Sequence, residues 1–378
     1  MKTVSIIKEK LKNEKRVIMT PDQVLELVSL GYSVLVEYGA GIGCNYTDKE
    51  YEKNGAKLVD TDDAWLSADI ILKYKAPTVE EYKYFRKGLN ICALFHAESN
   101  KNLVEEMCKS GLNAYTFEFL KTEDDIFPMA KSGGEIAGKF SIVMGTYLLQ
   151  KQFGGSGKFL VQTRGVKPCT VGVIGYGNVG AAAIKLASDL GARVICFGRN
   201  VAKMNKLSIS YNNNVSFVES TQDNFKKYLP MIDLLIGSIL ISTYDTPPLI
   251  EKDVISLMKK GSVVIDVTCG YGKGYLPFID RYTTLENPYY EKDGLIFSKI
   301  DNLPSAYPVT TVEAYTSNGF PYIIDILNYI SGDKTKEKFV RTSKIIEDGK
   351  IIHPVIKQHM EFYGNWLRCS RNPRRKFR

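Results

Sequence analysis

"VGVIGYGNVG", residues 171–180, decides the fold of this chain. Its opening apolar residues read as a buried strand, and "AAAIKLASDLG" (181–191) follows with the spacing of a helix. Between the two stand Gly175, Gly177 and Gly180, in the order G-x-G-x-x-G. The first glycine allows a tight turn, the second lets backbone approach a pyrophosphate, and the third lets helix pack on strand. The start of the helix, with Asn178 and Val179, then turns backbone N–H groups towards the anion. Glycine-rich turns also occur for purely structural reasons. Here a strand precedes and a helix follows, so the stretch predicts a dinucleotide-binding turn.

The next strand tests which nucleotide. "VICFGRN" (194–200) ends where a dinucleotide site commonly carries an acid that accepts hydrogen bonds from the ribose hydroxyls. This chain has Gly198, Arg199 and Asn200 instead. An acid would repel a 2′-phosphate. Gly198 removes that charge, Arg199 offers a planar fork to a phosphate, and Asn200 and Lys203 add donors. The expectation is therefore NADP(H) preferred over NAD(H). The competing reading is that Arg199 merely lies exposed at a helix start.

Outward from this core the chain divides in two, as 378 residues exceed one compact core. Residues 1–132 alternate strand-like runs ("TVSIIKE", "SVLVEYGAG", "ADIILKYK", "LNICALFHA", "NAYTFEFL") with helical ones such as "TPDQVLELVSLG". That alternation argues for a parallel sheet covered by helices. A long apolar helix pattern (133–152) opens the second region, which runs to residue 305, and another (310–330) follows it. The expected architecture is α/β, with two Rossmann-like domains of parallel strands linked by two long helices. The nucleotide domain (133–305) is then inserted into a discontinuous substrate domain (1–132 plus 306–378), with cofactor and substrate meeting between them.

Composition narrows the partners. No run approaches the length of apolar residues needed to span a membrane, and the N-terminus lacks a signal-peptide pattern; cytoplasm is the expected location. Six positive charges of the net +8 lie in the last eleven residues, "RCSRNPRRKFR". This tail carries no folded motif and one aromatic residue, so it reads as solvated rather than as a nucleic-acid site. The seven cysteines are scattered without C-x-x-C spacing, which gives neither a disulfide framework nor a zinc signature, and no metal site is expected.

Several stretches together resemble the alanine dehydrogenase and pyridine nucleotide transhydrogenase family. They are "KNEKRVIMTPDQVLELVSLGYSVLVEYGAGIGCNYTDKEYEKNGAKLV", "ADIILKYKAPTVEEYKYFRKGLNICALFHAESNKNL", "GEIAGKFSIVMGTYLLQKQFGGSGKFLVQTRGVKPCTVGVIGYGNVG" and "NLPSAYPVTTVEAYTSNGFPYI". The resemblance covers about residues 3–330 and more weakly reaches about 355. It implies hydride exchange between a nicotinamide and the Cα of an amino acid, in a homo-oligomer. Residue by residue, it matches Arg16 to the arginine that binds the substrate carboxylate. Lys75 is matched to a lysine that holds and polarises the substrate, and His96 to the catalytic histidine. Ile239 and Leu240 match apolar residues near the nicotinamide, though a plain core strand would look the same. The chemistry fits these residue types, since a bidentate arginine suits a carboxylate and a histidine suits proton transfer near neutral pH.

One departure bears on the reaction. "VVIDVTCGYGKG" aligns with a family stretch that carries a catalytic aspartate where this chain has Gly270; Asp266, four residues earlier, reads as structural. The serine before the linker-helix Glu is also replaced, by Gly134. Relatives that join an amine to a 2-oxo acid and reduce the imine, such as carboxyethylornithine synthase and saccharopine dehydrogenases, are similar in fold. "KIDNLPS" (299–305) is weakly similar to that wider group and places Asn302 among the substrate-binding residues. The leading expectation is thus an opine-type synthase acting on CH–NH bonds, with a 2-oxo acid and an amine or amino acid as substrates. An alanine dehydrogenase-like amino-acid dehydrogenase is the first alternative, and a non-catalytic nucleotide-binding or transhydrogenase-like subunit the second.

Overall fold

The computed structural model describes residues 2–239, 249–268 and 275–361. Leu240, Gly270 and the basic tail lie outside the described residues. The chain divides into two units, residues 1–132 with 307–378, and residues 133–306.

The N-terminal stretch runs β1 (Thr3–Ile6), α1 (Pro21–Ser29), β2 (Ser33–Glu37), α2 (Asp48–Lys53), β3 (Lys57–Val59), α3 (Thr61–Leu66), β4 (Ile70–Lys75), β5 (Asn90–Leu94), α4 (Lys101–Ser110) and β6 (Asn113–Thr116). The long α5 (Pro128–Leu148) leads into the second unit. There follow β7 (Thr170–Ile174), α6 (Asn178–Asp189), β8 (Arg193–Gly198), α7 (Val201–Ser208), β9 (Val215–Glu219), α8 (Gln222–Tyr228), β10 (Leu234–Gly237), α9 (Lys252–Ile255), β11 (Val263–Asp266), β12 (Tyr290–Lys292) and β13 (Leu295–Ser298). The return supplies α10 (Pro308–Ile330), α11 (Glu337–Val340), β14 (Lys344–Glu347) and β15 (Lys350–Ile351).

Local chemistry explains the helix ends. α1 starts at a capping box, in which Thr20 accepts from the Gln23 N–H and the Gln23 side chain accepts from the Thr20 N–H, with Pro21 at the first turn. α10 keeps its course through Pro321.

Among the described residues each unit builds one sheet. In the first the order is β15-β14-β6-β5-β4-β1-β2-β3, in the second β12-β13-β11-β10-β7-β8-β9. Both contain the doubly wound order 3-2-1-4-5-6, with parallel pairing from β3 through β6 and from β9 through β13. These are two Rossmann-like folds. Alternate strand residues enter opposite cores, which is why the strands read as unbroken apolar runs. In β4, Ile70 and Leu72 join Val312, Ile323 and Leu327 of α10, while Ile71 joins Leu103 and Met107 of α4. In β8, Val194 and Cys196 share a core with Ile142 and Leu148 of α5, while Ile195 and Phe197 meet Phe225 of α8.

This winding positions the functional candidates. In a doubly wound sheet, ligands bind beyond the carboxyl ends of the strands where the order reverses. The reversal lies between β1 and β4 in one unit and between β7 and β10 in the other.

Candidate functional site

In the first unit the reversal is lined with charge. Arg16 stands in the loop after β1, Lys75 ends β4, His96 follows β5 and Glu118 follows β6. Arg16 is buried, and its Nε and Nη2 donate to the two carboxylate oxygens of Glu14 at 2.7 and 2.5 Å. Burial would lift the Glu14 carboxyl, but hydrogen bonds and charge from Arg16 hold it below its ordinary range. The guanidinium also lies 4.1 Å above the Tyr74 ring, which fixes its plane.

Lys75 is buried, with Nζ 3.1 Å from Nε2 of His96. The histidine ring is half exposed, and its Nδ1 lies 3.8 Å from Oε1 of Glu118. The His96 backbone is left-handed, with φ +44°, a conformation uncommon for a side chain of this size. Two neighbours hold it there. Its N–H donates to Glu118 Oε1 at 2.6 Å, and its carbonyl accepts from the N–H and the hydroxyl of Ser99 at 3.0 and 2.9 Å. Burial lifts the Glu118 carboxyl, against hydrogen bonds from Thr116 and the His96 N–H and the nearby Lys75 charge.

Beneath Lys75 lies a second ionic group that the motif reading passes over. Lys73 is fully buried, with Nζ 2.9 Å from Glu81 Oε1 and 3.5 Å from Glu9 Oε2. Burial disfavours the ammonium, yet Glu9 and Glu81 outweigh it and raise the pKa. Glu9 Oε1 accepts the backbone N–H groups of Tyr74 and Lys75 at 2.7 and 3.3 Å, so it fixes the strand end that carries Lys75. Burial pushes its carboxyl up to about 7 despite Lys73. The sequence holds a signal for this group: two lysines in one buried strand require carboxylates close by.

The second unit presents backbone at its reversal. Gly175 has φ +97°, a turn closed to most side chains. A Cβ on Gly180 would lie 2.2 Å from the Gly175 carbonyl, so helix and strand meet only without one. Gly177 and Asn178 are exposed, and α6 begins at Gly177 with no side-chain cap. The first N–H groups of α6, from Asn178 through Gly180, therefore remain for an external acceptor such as a pyrophosphate. Ile239 lies against Gly175 and, through its N–H, 3.4 Å from the Tyr275 hydroxyl. Asp266 is buried, accepts from Thr268 and forms an ion pair with Lys299 at 3.4 Å. Gly134 abuts Asn178, where a Cβ would come within 2.9 Å of that residue's own Cβ, so its small size permits α5 to approach α6.

Of the predicted residues, Arg16, Lys75 and His96 gather in the first unit, whereas Gly175, Gly177, Asn178, Val179, Gly180 and Ile239 gather in the second. Asn302 belongs to the second unit too, in a left-handed turn with φ +66° after β13. Glu9, Glu14, Lys73 and Glu118 are the neighbours that sequence reasoning missed.

The turn after β8 is arranged differently from the phosphate pocket expected there. A Cβ on Gly198 would lie 2.3 Å from the Tyr176 ring and 2.6 Å from Met204 Sδ; the missing side chain makes room for packing. The Asn200 side chain caps α7 by accepting from the Lys203 N–H at 2.9 Å, and the Lys203 ammonium lies 5.5 Å from the centre of the Tyr176 ring. Arg199 is exposed.

Residues 5–137 match the family model "Alanine dehydrogenase/PNT, N-terminal domain", and residues 141–354 match "Alanine dehydrogenase/PNT, C-terminal domain". The chain is 34% identical to alanine dehydrogenase of Methanococcus maripaludis over 86% of its own length and 87% of that protein's. It is likewise 34% identical to alanine dehydrogenase of Bacillus subtilis, over 86% and 85%. A solved L-alanine dehydrogenase superposes with a TM-score of 0.87 at 30% identity, covering 95% of this chain and 99% of that one. A transhydrogenase from Sinorhizobium meliloti, at 24% identity and TM-score 0.76 over 93% and 99%, shares the fold. The chain belongs to the alanine dehydrogenase/PNT family and is a nicotinamide-dependent oxidoreductase of the amino-acid dehydrogenase class. Two expectations change. The relatives are alanine dehydrogenases, an NAD(H)-dependent activity, so the preference for NADP(H) is corrected; Gly198, Asn200 and Lys203 serve packing and capping. The same relatives favour the amino-acid dehydrogenase over the opine-type synthase.

Proposed function

We propose that this member of the alanine dehydrogenase/PNT family interconverts a small 2-amino acid, alanine foremost, with its 2-oxo acid and ammonia, using NAD(H). The observation that carries the reading is the group Arg16, Lys75 and His96 at the reversal of the first sheet, in a chain whose relatives bear that activity's name.

NAD(H), when bound, supplies or accepts the hydride; the glycine turn and the bare start of α6 suit its pyrophosphate, and Ile239 beside them suits a face of its nicotinamide ring. Everything else falls to side chains. Arg16 holds the substrate carboxylate through the edge of its fork that Glu14 does not engage. Glu14 and Tyr74 keep that fork in plane. Lys75 and His96 share a hydrogen bond between Nζ and Nε2, so a proton passes between two bases whose orientation is set from both sides. Glu9 pins the backbone of Lys75, and Glu118 pins that of His96. In amination this pair delivers a proton to the substrate; in deamination it takes one away.

The test is NADH oxidation with pyruvate and either ammonia or a primary amino acid as donor. Faster turnover with ammonia, and NAD reduction by L-alanine, are expected. Turnover with the amino acid but not with ammonia would return the chain to the imine-joining synthases.

A further inference from the structure

Tyr315, on α10, lies against both parts of this site. Its ring packs 5.1 Å from that of Tyr74, the platform under Arg16, and 6.3 Å edge-on from Phe117, the residue before Glu118. The side chain is 3% exposed, and among the described residues its hydroxyl has no hydrogen-bond partner. Burial raises the phenol pKa well above its ordinary value; Tyr74 and Glu118 add to the rise and Arg16 opposes it. The hydroxyl thus keeps its proton and feels both Arg16 and Glu118. Phe117, packed against the same ring, shows that a plain aromatic residue is at home there. What tyrosine adds at position 315 is a donor that no described residue accepts, and leaving such a group unpaired destabilises the fold.

We propose that the Tyr315 hydroxyl is a specificity-determining donor that hydrogen-bonds the carboxylate of the substrate beside Arg16. This rests on reading the first unit as the substrate domain. The ligand class is a 2-oxo or 2-amino monocarboxylate: the neutral phenol donates one hydrogen bond, and Arg16 supplies the charge that makes the acceptor an anion.

The experiment compares wild type with Tyr315→Phe, using pyruvate as probe in two readouts. Steady-state kinetics is expected to show the KM for pyruvate raised about tenfold, the KM for NADH unchanged and kcat within about twofold, the pattern of a lost ground-state contact to a charged group. Thermal unfolding is expected to show the ligand-free variant at least as stable as wild type and less stabilised by pyruvate. An unchanged KM together with an unchanged pyruvate-induced shift overturns the proposal. A variant less stable than wild type overturns it as well, because the hydroxyl would then have a protein partner. If wild type turns over no substrate yet pyruvate stabilises it more than the variant, the proposed reaction fails and this inference stands. If pyruvate stabilises neither protein, the inference falls.

Discussion

The two units wind their parallel strands in one order, and at the reversal they offer opposite materials. Between β1 and β4 the loops bring Glu9, Glu14, Arg16 and Lys75 together, each held by a carboxylate–cation or backbone bond. Between β7 and β10 there is Gly175, the bare start of α6 and Ile239, with no charged side chain in the G-x-G-x-x-G turn. On the proposed function, the same kind of crevice serves two ligands by a change of residue type. A long, already charged dinucleotide is held by backbone that can come close. A small acid needs side chains that reach out and carry protons.

If that division is real, damage to one unit should spare the other's ligand. Lys75→Ala or His96→Ala should lower turnover by about 10³-fold while the NADH dissociation constant stays within about twofold, checked by steady-state rates and nucleotide fluorescence. A joint loss of NADH affinity would break the comparison. The mirror test is Gly180→Ala. Its Cβ would meet a backbone carbonyl that has nowhere to go, and overpacking of this kind costs about 1–3 kcal/mol. Denaturant unfolding should show that loss, and NADH binding should weaken while stabilisation by pyruvate persists.

A smaller effect sharpens the role of the first unit's fork. Arg16→Lys keeps the charge but not the bidentate geometry with Glu14, so the KM for pyruvate should rise by about tenfold with less change in kcat. The smallest effect concerns pH. Between Glu9's ordinary value of 4.5 and its folded value of about 7, the folded chain keeps a proton that the unfolded chain has lost. Its contribution to stability therefore declines as pH rises through that window. Glu9→Gln removes this slope: the wild-type melting temperature should fall relative to the variant's between about pH 5 and 7, and a constant difference would reject the assignment.

Legibility differed between the two units for a physical reason. The glycine turn is local, with strand, turn and helix consecutive in the chain, so ten residues announce the second fold. The charged site is assembled from four strand ends. Arg16, Lys75 and His96 were found only through family resemblance, and Glu9, Glu14, Lys73 and Glu118 not even so. Nothing in "KEKLKNEKR" distinguishes a buried acid from a solvated one. Gly198 misled because a missing side chain has two explanations, space for a ligand or space for a neighbour, and the ring of Tyr176 lies far from it in sequence. Short β3, β14 and β15 carry too few residues to show alternation.

The discontinuity of the first unit sets an order of events during synthesis. Val312, Ile323, Ile326 and Leu327 of α10 cover one face of its sheet, yet they are made only after the whole second unit has been translated. Ile70 and Leu72 of β4, in the same core, must wait for that cover, whereas Val34 and Val36 of β2 share it with Val24 and Leu27 of α1, made earlier. The inserted unit has its strands in sequence and reaches completion first. A chain ended at residue 306 should therefore bind a hydrophobic dye through its first unit while its second unit holds NADH; loss of NADH binding in that fragment would show that the inserted unit depends on the return helix.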